Sequence, residues 1–460
     1  MTTEAATDPE ATGSVFGRDF RLTTIGLIIV VTLIAFEAMS VAAALPTAAR
    51  QLHGLASYGW SFTGFLIANN VALVASGMLC DRRGPRPSLI LGLLLFLIGL
   101  IAAGLASSMG QLIAGRVVQG LGSGLMLTAL YVVIGECYPD SLRPKVIAAI
   151  SSAWVVPSLI GPPLSGLVTQ HLTWRLVFLG LAPLVCVGGL LMVPALRGIS
   201  AHARGGAEFG DPLRLVRAVA VAAGLALLVQ AGQHPRLVWL VLAPPGAGLV
   251  VWGLSRLLPA GTVRIRHGVP ATVALRGLFA GALFGAESLI PLALTVQHGY
   301  GATAAGLPLL GAALTWAVGS WWQGRDGMSG HRPGLIRAGF GLLAVACAGA
   351  AGASLPAWPG WLMYPAWAVA GLGAGLAMSS IGVLMLEWTT DADRGRDSAA
   401  IQLADGVVSS FTTGLGGVLV AAAAHAYIGY TSAFVGIDLA MVVVAMAGAL
   451  AAASTRSGRR

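Results

Sequence analysis

Apolar residues fill this chain in repeated long runs, broken by short segments that carry Arg and Gly. Each run is about 20 residues long, the length a helix needs to cross the hydrocarbon of a bilayer. The pattern predicts helices over 24–46, 58–79, 87–107, 110–137, 146–170, 174–196, 213–232, 236–257, 269–297, 302–322, 333–354, 359–387, 398–426 and 430–453. The expected fold class is an all-α membrane protein with fourteen transmembrane helices. Composition agrees, because 56% of the 460 residues are hydrophobic and 10% are charged, against about 25% charged in a soluble domain.

The net charge of +9 could suggest nucleic acid or acidic partners, but its placement points elsewhere. Arg82, Arg83, Arg86, Arg143, Arg197, Arg204, Arg264, Arg266, Arg325, Arg332, Arg394, Arg396, Arg456, Arg459 and Arg460 fall in alternate loops and the C-terminal tail. The other loops hold little beyond Arg50, Arg175 and Arg236. This is the positive-inside pattern, and it predicts that both termini are cytoplasmic. The basic charge is thus assigned to orientation in a lipid bilayer, with no nucleic-acid partner. Residues 1–20, without a cleavable signal pattern, are expected to be a cytoplasmic tail, and 454–460 a basic one. Lys145 is the one lysine among 27 basic residues, a bias that fits a GC-rich bacterium and its inner membrane. Four cysteines suggest neither a disulfide framework nor a metal site.

An internal repeat organises the runs. At an offset of 251, Gly120, Gly122, Gly124 and Leu125 match Gly371, Gly373, Gly375 and Leu376, while Glu136, Asp140 and Arg143 match Glu387, Asp391 and Arg394. Matches at three charged positions carry weight in a chain so poor in charge. Both repeated helices run in the same direction, which implies a parallel repeat about an axis along the membrane normal. Two six-helix bundles are expected at 21–198 and 269–453. Between them, 199–268 holds linkers and an inserted helix pair at 213–257. Glu37 has a counterpart 250 residues on, Glu287. The halves differ in polar decoration: Arg116 and Gln119 correspond to Trp367 and Ala370, and Trp154 to Asp405.

Several motifs resemble those of the major facilitator superfamily. Gly77 to Leu89, "GMLCDRRGPRPSL", resembles its signature between helices 2 and 3. Arg116 to Gly124, "RVVQGLGSG", resembles the helix 4 motif of its proton-coupled members. Pro157 to Gly166, "PSLIGPPLSG", resembles the helix 5 motif of its antiporters, with Pro157 where a glycine is usual and Ser165 replacing the first glycine of the closing pair. "FEAMSVAAALP" keeps the acid-to-proline spacing of the helix 1 motif of the fourteen-helix drug:proton antiporters, with Glu37 where aspartate is usual. The resemblance implies two pseudo-symmetric six-helix bundles plus two extra helices, working as a monomer. It implies a latch in which Asp81 meets the start of helix 13 while Arg82 and Arg86 bridge to Glu136. Gly77 and Gly84 would permit the close packing and turn, and Pro157, Gly161, Pro162 and Gly166 would form a helix 5 seal. Read without the family, the same residues make a tight basic loop and a packing kink.

Glu37 and Glu287 are each expected to cost about 2.5–3.5 kcal/mol at mid-membrane. Because desolvation penalises the charged form, such a carboxyl can take up a proton from one side and release it to the other. The alternative is that one or both only bind polar groups nearby, such as Asn69, Asn70 or Gln119. Arg116 needs a partner or water, and the family motif assigns it to proton coupling. Asp405 is a further candidate for coupling. Asn69, Asn70, Gln119 and Trp154 could line a substrate cavity, although asparagine also serves as helix glue. The leading expectation is a proton-coupled antiporter exporting amphipathic small molecules by alternating access. A dedicated exporter of an endogenous metabolite or lipid is the alternative, and a non-transporting receptor or scaffold a more distant one. No nucleotide-binding loop, metal cluster or nucleophile constellation suggests an enzyme, and no cofactor beyond the proton gradient is implied.

Overall fold

The computed structural model describes residues 14–17, 20–139, 142–198, 213–233, 236–325, 329–390 and 394–455. The linker 199–212, most of both tails, and Asp140 and Asp391 of the repeat lie outside the described residues. The first half comprises α1 (Arg21–Gln51), α2 (Trp60–Arg83), α3 (Pro85–Gly104), α4 (Met109–Cys137), α5 (Arg143–Ser152), α6 (Val155–His171), α7 (Arg175–Leu179) and α8 (Ala182–Gly198). The inserted pair is α9 (Leu213–Gly232) and α10 (Arg236–Leu257). The second half comprises α11 (Val269–Glu287), α12 (Ile290–Gln297), α13 (Ala302–Gln323), α14 (Arg332–Ala353), α15 (Met363–Trp388), α16 (Arg394–Ala424) and α17 (Tyr430–Ala451).

Helix stands at all fourteen predicted places, and among the described residues twelve helices are long and apolar enough to cross a membrane. The other two places are α5–α6, which is interrupted, and α10, whose apolar part 241–257 is shorter. Three predicted helices are broken in two: at Ala153–Trp154, at Gly180–Leu181 and at Ser288–Leu289. Pro162 and Pro163 lie within α6, downstream of the first break. The chain departs from helix upstream of Pro157, and Pro157 sits in the first turn of α6, where its missing N–H costs no bond. Local signals set other ends. Gly84 takes φ +73° between α2 and α3, a conformation that favours glycine, and Pro85 follows at the start of α3. Ser108 caps α4 by accepting the Gln111 N–H at 3.3 Å.

The repeat is visible in packing. Cβ atoms at Gly120 and Gly124 would collide with the Phe65 and Asn69 carbonyls of α2, and one at Gly122 with the Gly92 carbonyl of α3. In the second half Gly371 and Gly375 stand against the Ala312 and Trp316 carbonyls of α13, and Gly373 against the Gly339 carbonyl of α14. Small residues let the backbones approach in the absence of any hydrophobic drive between helices in lipid. Thus α4 and α15 fill the same place in their bundles.

The halves meet towards the end of the bundle that bears Tyr58 and Gly299, the charge-poor end. Gly59 lies against Gly417 of α16, Gly166 of α6 against Thr303 of α13, and Gly306 of α13 against Pro162. Tyr58 donates to the Ser288 carbonyl at 2.9 Å, Thr303 to Gln170 at 3.0 Å and Arg50 to the Thr295 carbonyl at 3.4 Å. At the opposite, basic end, Gly77 faces open space and Asp81, Arg82, Arg86 and Glu136 are exposed. The inserted helix α9 bridges the seam, packing against both α2 and α16, and α10 packs behind it. Trp60 of α2 donates to Gln233, just past α9, at 3.3 Å, while Gly414 and Val418 of α16 touch Val229 and Gly232.

Candidate functional site

Glu37 lies near the middle of α1 and is fully buried, as are Arg116 and Gln119 on α4. The Arg116 guanidinium is hydrogen-bonded and ion-paired to the Glu37 carboxylate. It also donates to the Ser61 carbonyl at 3.2 Å and to Gln119 Oε1 at 3.3 Å, and it lies 4.3 Å over the Phe65 ring. The guanidinium therefore has its counter-charge and three further contacts, which is what a buried ion needs to be tolerated. Gln119 serves this pair, while its Nε2 and the second Glu37 oxygen have no partner among the described residues.

The second half places a carboxylate on the same pair of helices with a different donor. Glu287 ends α11, is half-buried, and accepts from Trp367 Nε1 at 3.1 Å. Trp367 is completely buried on α15, at the position the repeat aligns with Arg116. One half thus holds its acid with a permanent cation, the other with a neutral N–H.

A third acid, Asp405 of α16, pairs with Arg276 of α11 at 2.9 Å, and Arg276 also donates to the Met378 carbonyl at 3.3 Å. Arg276 was not among the sequence candidates. The helical spacing of Arg276 into α11 could have flagged it as a charge inside an apolar run. The remaining Asp405 oxygen is buried without a partner among the described residues. Asp438 of α17 is buried behind the α11–α12 break, in a small cavity it shares with Ser354, Leu289 and Phe434.

The sequence profile of the Major Facilitator Superfamily matches residues 27–348. This chain belongs to that superfamily. It is 32% identical over 192 residues to the vacuolar basic amino acid transporter 5 of Saccharomyces cerevisiae, covering 42% of this chain and 32% of that protein. It is 29% identical over 173 residues to the multidrug transporter MdtP of Bacillus subtilis, covering 38% of this chain and 32% of that protein. An uncharacterised MFS-type transporter of Mycobacterium tuberculosis is 26% identical over 82% of this chain and 56% of its own length. The chain spans from about a third to just over half the length of these relatives. Its fold is similar to that of a POT family transporter crystallised with 5-aminolevulinic acid, at a TM-score of 0.66 and 14% identity, covering 94% of this chain and 96% of that one.

The latch and seal residues of this major facilitator divide into two groups. Gly166 and Pro162 lie at the contact between halves, and Gly161 packs on Ser40 and Met39 of α1, where Ser165 donates to the Ser40 carbonyl at 2.6 Å. Asp81, Arg82 and Arg86 are exposed and unbonded among the described residues, and so is Glu136. The expected Arg82 and Arg86 bridges to Glu136 are not made in this arrangement, because the helix ends that carry them stand open to solvent. Their repeat counterpart is paired: Glu387 meets Arg332 of α14 at 3.2 Å. The partner expected for Asp81, the start of α16, borders residues outside the described ones. Asn70 is buried on the seam, against Gly406, donates to Ser410 at 3.4 Å, and lines a small cavity with Ile67 of its own helix, Val221 and Leu225 of α9 and Leu403 of α16. The bond to Ser410 is the helix-glue alternative, acting between halves. Asn69 is half-buried, and Trp154 is partly exposed at the α5–α6 break.

Proposed function

We propose that this chain is a proton-coupled antiporter that exports amphipathic small molecules by alternating access, with Glu287 as the proton carrier. The observation that carries the reading is the unequal pairing of the two acids. Glu37 is sealed and faces a guanidinium, so gaining a proton there would leave a buried cation alone, at a cost of several kcal/mol. Glu287 is half-buried and has only a neutral donor, so it has access to water and no counter-charge to forfeit. Arg116 then acts as the fixed partner of Glu37, and the Arg276–Asp405 pair as a charge-balanced contact beside the path.

The basic end faces the cytoplasm under the positive-inside rule, with fourteen spans, both termini inside and the chain acting as a monomer. The halves are joined at the opposite end, so this arrangement is inward-facing, and the Asp81 latch belongs to the outward-facing one. One proton crossing about 150 mV supplies roughly 3.5 kcal/mol, enough for a gradient of a few hundred-fold in a neutral solute exchanged one for one. The relative named as a multidrug transporter supports drug export, and the relative named for basic amino acids favours the second reading, a dedicated metabolite exporter.

The test is a substrate panel in a strain lacking efflux pumps, with proton flux followed in proteoliposomes. The antiporter reading expects resistance to several amphipathic compounds and substrate-driven proton movement that Glu287→Gln abolishes. Resistance equal to the empty vector, together with retention of a native metabolite in a deletion strain, would select the dedicated exporter. No flux of any substrate under any imposed proton gradient, from protein with its fold intact, would overturn both.

A further inference from the structure

The residue after Glu287 joins the two halves. The helix breaks at Ser288–Leu289, and Pro291 opens the next helix without an N–H to offer the Glu287 carbonyl. The Ser288 carbonyl, which an unbroken helix would give to the Leu292 N–H, instead accepts the Tyr58 hydroxyl at 2.9 Å. Tyr58 belongs to the first half, at the turn into α2, and is completely buried. Its ring stacks edge-on against Phe62 at 5.5 Å, and its neighbour Gly59 lies against Gly417. A buried carbonyl released by a helix break needs a donor. Here the donor comes from across the interface, one peptide from the proton site.

The other contacts of the closed end lie farther along the chain. Arg50 reaches Thr295 and Thr303 reaches Gln170, at residues that turn with α12 and α13 and do not adjoin Glu287. Among the described residues, the Tyr58 bond is the cross-half hydrogen bond made at the residue that follows Glu287. We propose that the Tyr58 hydroxyl, by holding the Ser288 carbonyl, makes closure of the charge-poor end depend on the protonation of Glu287. Tyr58 is thus a positioning residue for the transport cycle, and the proposal rests on Glu287 being the proton carrier.

Other titratable groups approach the same stretch. Asp438 of α17 faces Ala286 and Leu289 from behind, with Cys347 of α14 near it, while Arg276 and Asp405 of α16 occupy each other. Asp438→Asn is therefore a control for pH dependence from that side.

The experiment places spin labels at Leu105→Cys and Ala357→Cys, exposed positions on the charge-poor loops of the two halves. Cys137 and Cys186 are replaced by serine, and the distance distribution is recorded in lipid nanodiscs from acidic to basic pH. The unsubstituted protein should change its ratio of open to closed forms with pH by about tenfold or more, and Asp438→Asn should retain this. Tyr58→Phe, which keeps the ring and removes the donor, should raise the open fraction by about fivefold, the worth of a typical hydrogen bond, and flatten the pH response to under about twofold. Thr303→Ala should raise the open fraction yet leave the response intact. A Tyr58→Phe protein with a full pH response would overturn the proposal while leaving the Glu287 reading standing. Absence of any response before substitution, or its persistence in Glu287→Gln, would remove the Glu287 reading and the proposal with it.

Discussion

The indole N–H of Trp367 donates to the Glu287 carboxylate at 3.1 Å, on the helix pair where the other half sets Arg116 against Glu37. The repeat supplies one scaffold for both acids, α1 with α4 and α11 with α15. The difference between a guanidinium and an indole decides their chemistry. A guanidinium keeps its charge in any environment, whereas an indole offers a single neutral donor.

Glu287→Gln should abolish proton-coupled export while preserving folding, because glutamine still accepts from Trp367. Trp367→Phe removes the donor together with part of a buried ring, and should leave export partly active. Transport in proteoliposomes under an imposed pH gradient separates the two, and equal loss in both would argue that the indole bond itself is indispensable.

Arg116→Gln should be strongly destabilising, by about 3–5 kcal/mol, since it leaves the Glu37 carboxylate buried without its partner. Glu37→Gln with Arg116→Gln should recover much of that loss, as no net charge remains buried. Melting temperature in detergent for the two singles and the double completes a mutant cycle, and additive losses would contradict the pairing.

Gly59→Val should favour the arrangement open at the charge-poor end. Even a Cβ at Gly59 would collide with the Gly417 Cα, and overpacking of this kind costs about 1–3 kcal/mol. Thiol labelling of a cysteine introduced at Gly306, which is packed on Pro162 when the end is closed, should rise relative to the parent protein.

Asp81→Asn should impair transport without lowering thermal stability, because Asp81 is exposed, with no hydrogen bond or ion pair among the described residues, and the latch would form in the alternative arrangement. A measured transport rate equal to that of the parent protein would dispose of the latch.

Arg276 and Asp405 should tolerate exchange better than single loss. Arg276→Asp with Asp405→Arg keeps a neutral pair across α11 and α16, whereas Arg276→Ala leaves Asp405 uncompensated in a largely apolar setting. Surface expression of the two variants measures this ordering.

Much of the fold was legible from the pattern of apolar runs, since a bilayer demands long hydrophobic helices and leaves few alternatives. Helix existed at each predicted place, and the glycines of "GLGSG" and "GLGAG" marked the helices that pack closest in each half. The charge pattern also isolated Glu37, Arg116, Glu287 and Asp405 as groups that must have partners. Their partners were a different matter. Trp367 stands out in the sequence only as the repeat counterpart of Arg116, and Arg276 only as a charge inside an apolar run; neither is matched to its acid until α15 and α16 are folded against α11. The repeat aligned Arg116 with Trp367, yet only the packed helices turn that alignment into two acid–donor pairs. Likewise Asn70 and Tyr58 become cross-half contacts through docking, and which end of the bundle is closed depends on how the halves rock. Burial in lipid constrains each helix separately and is written along the chain. Pairing among side chains far apart in sequence depends on the relative placement of helices, and tertiary structure alone decides it.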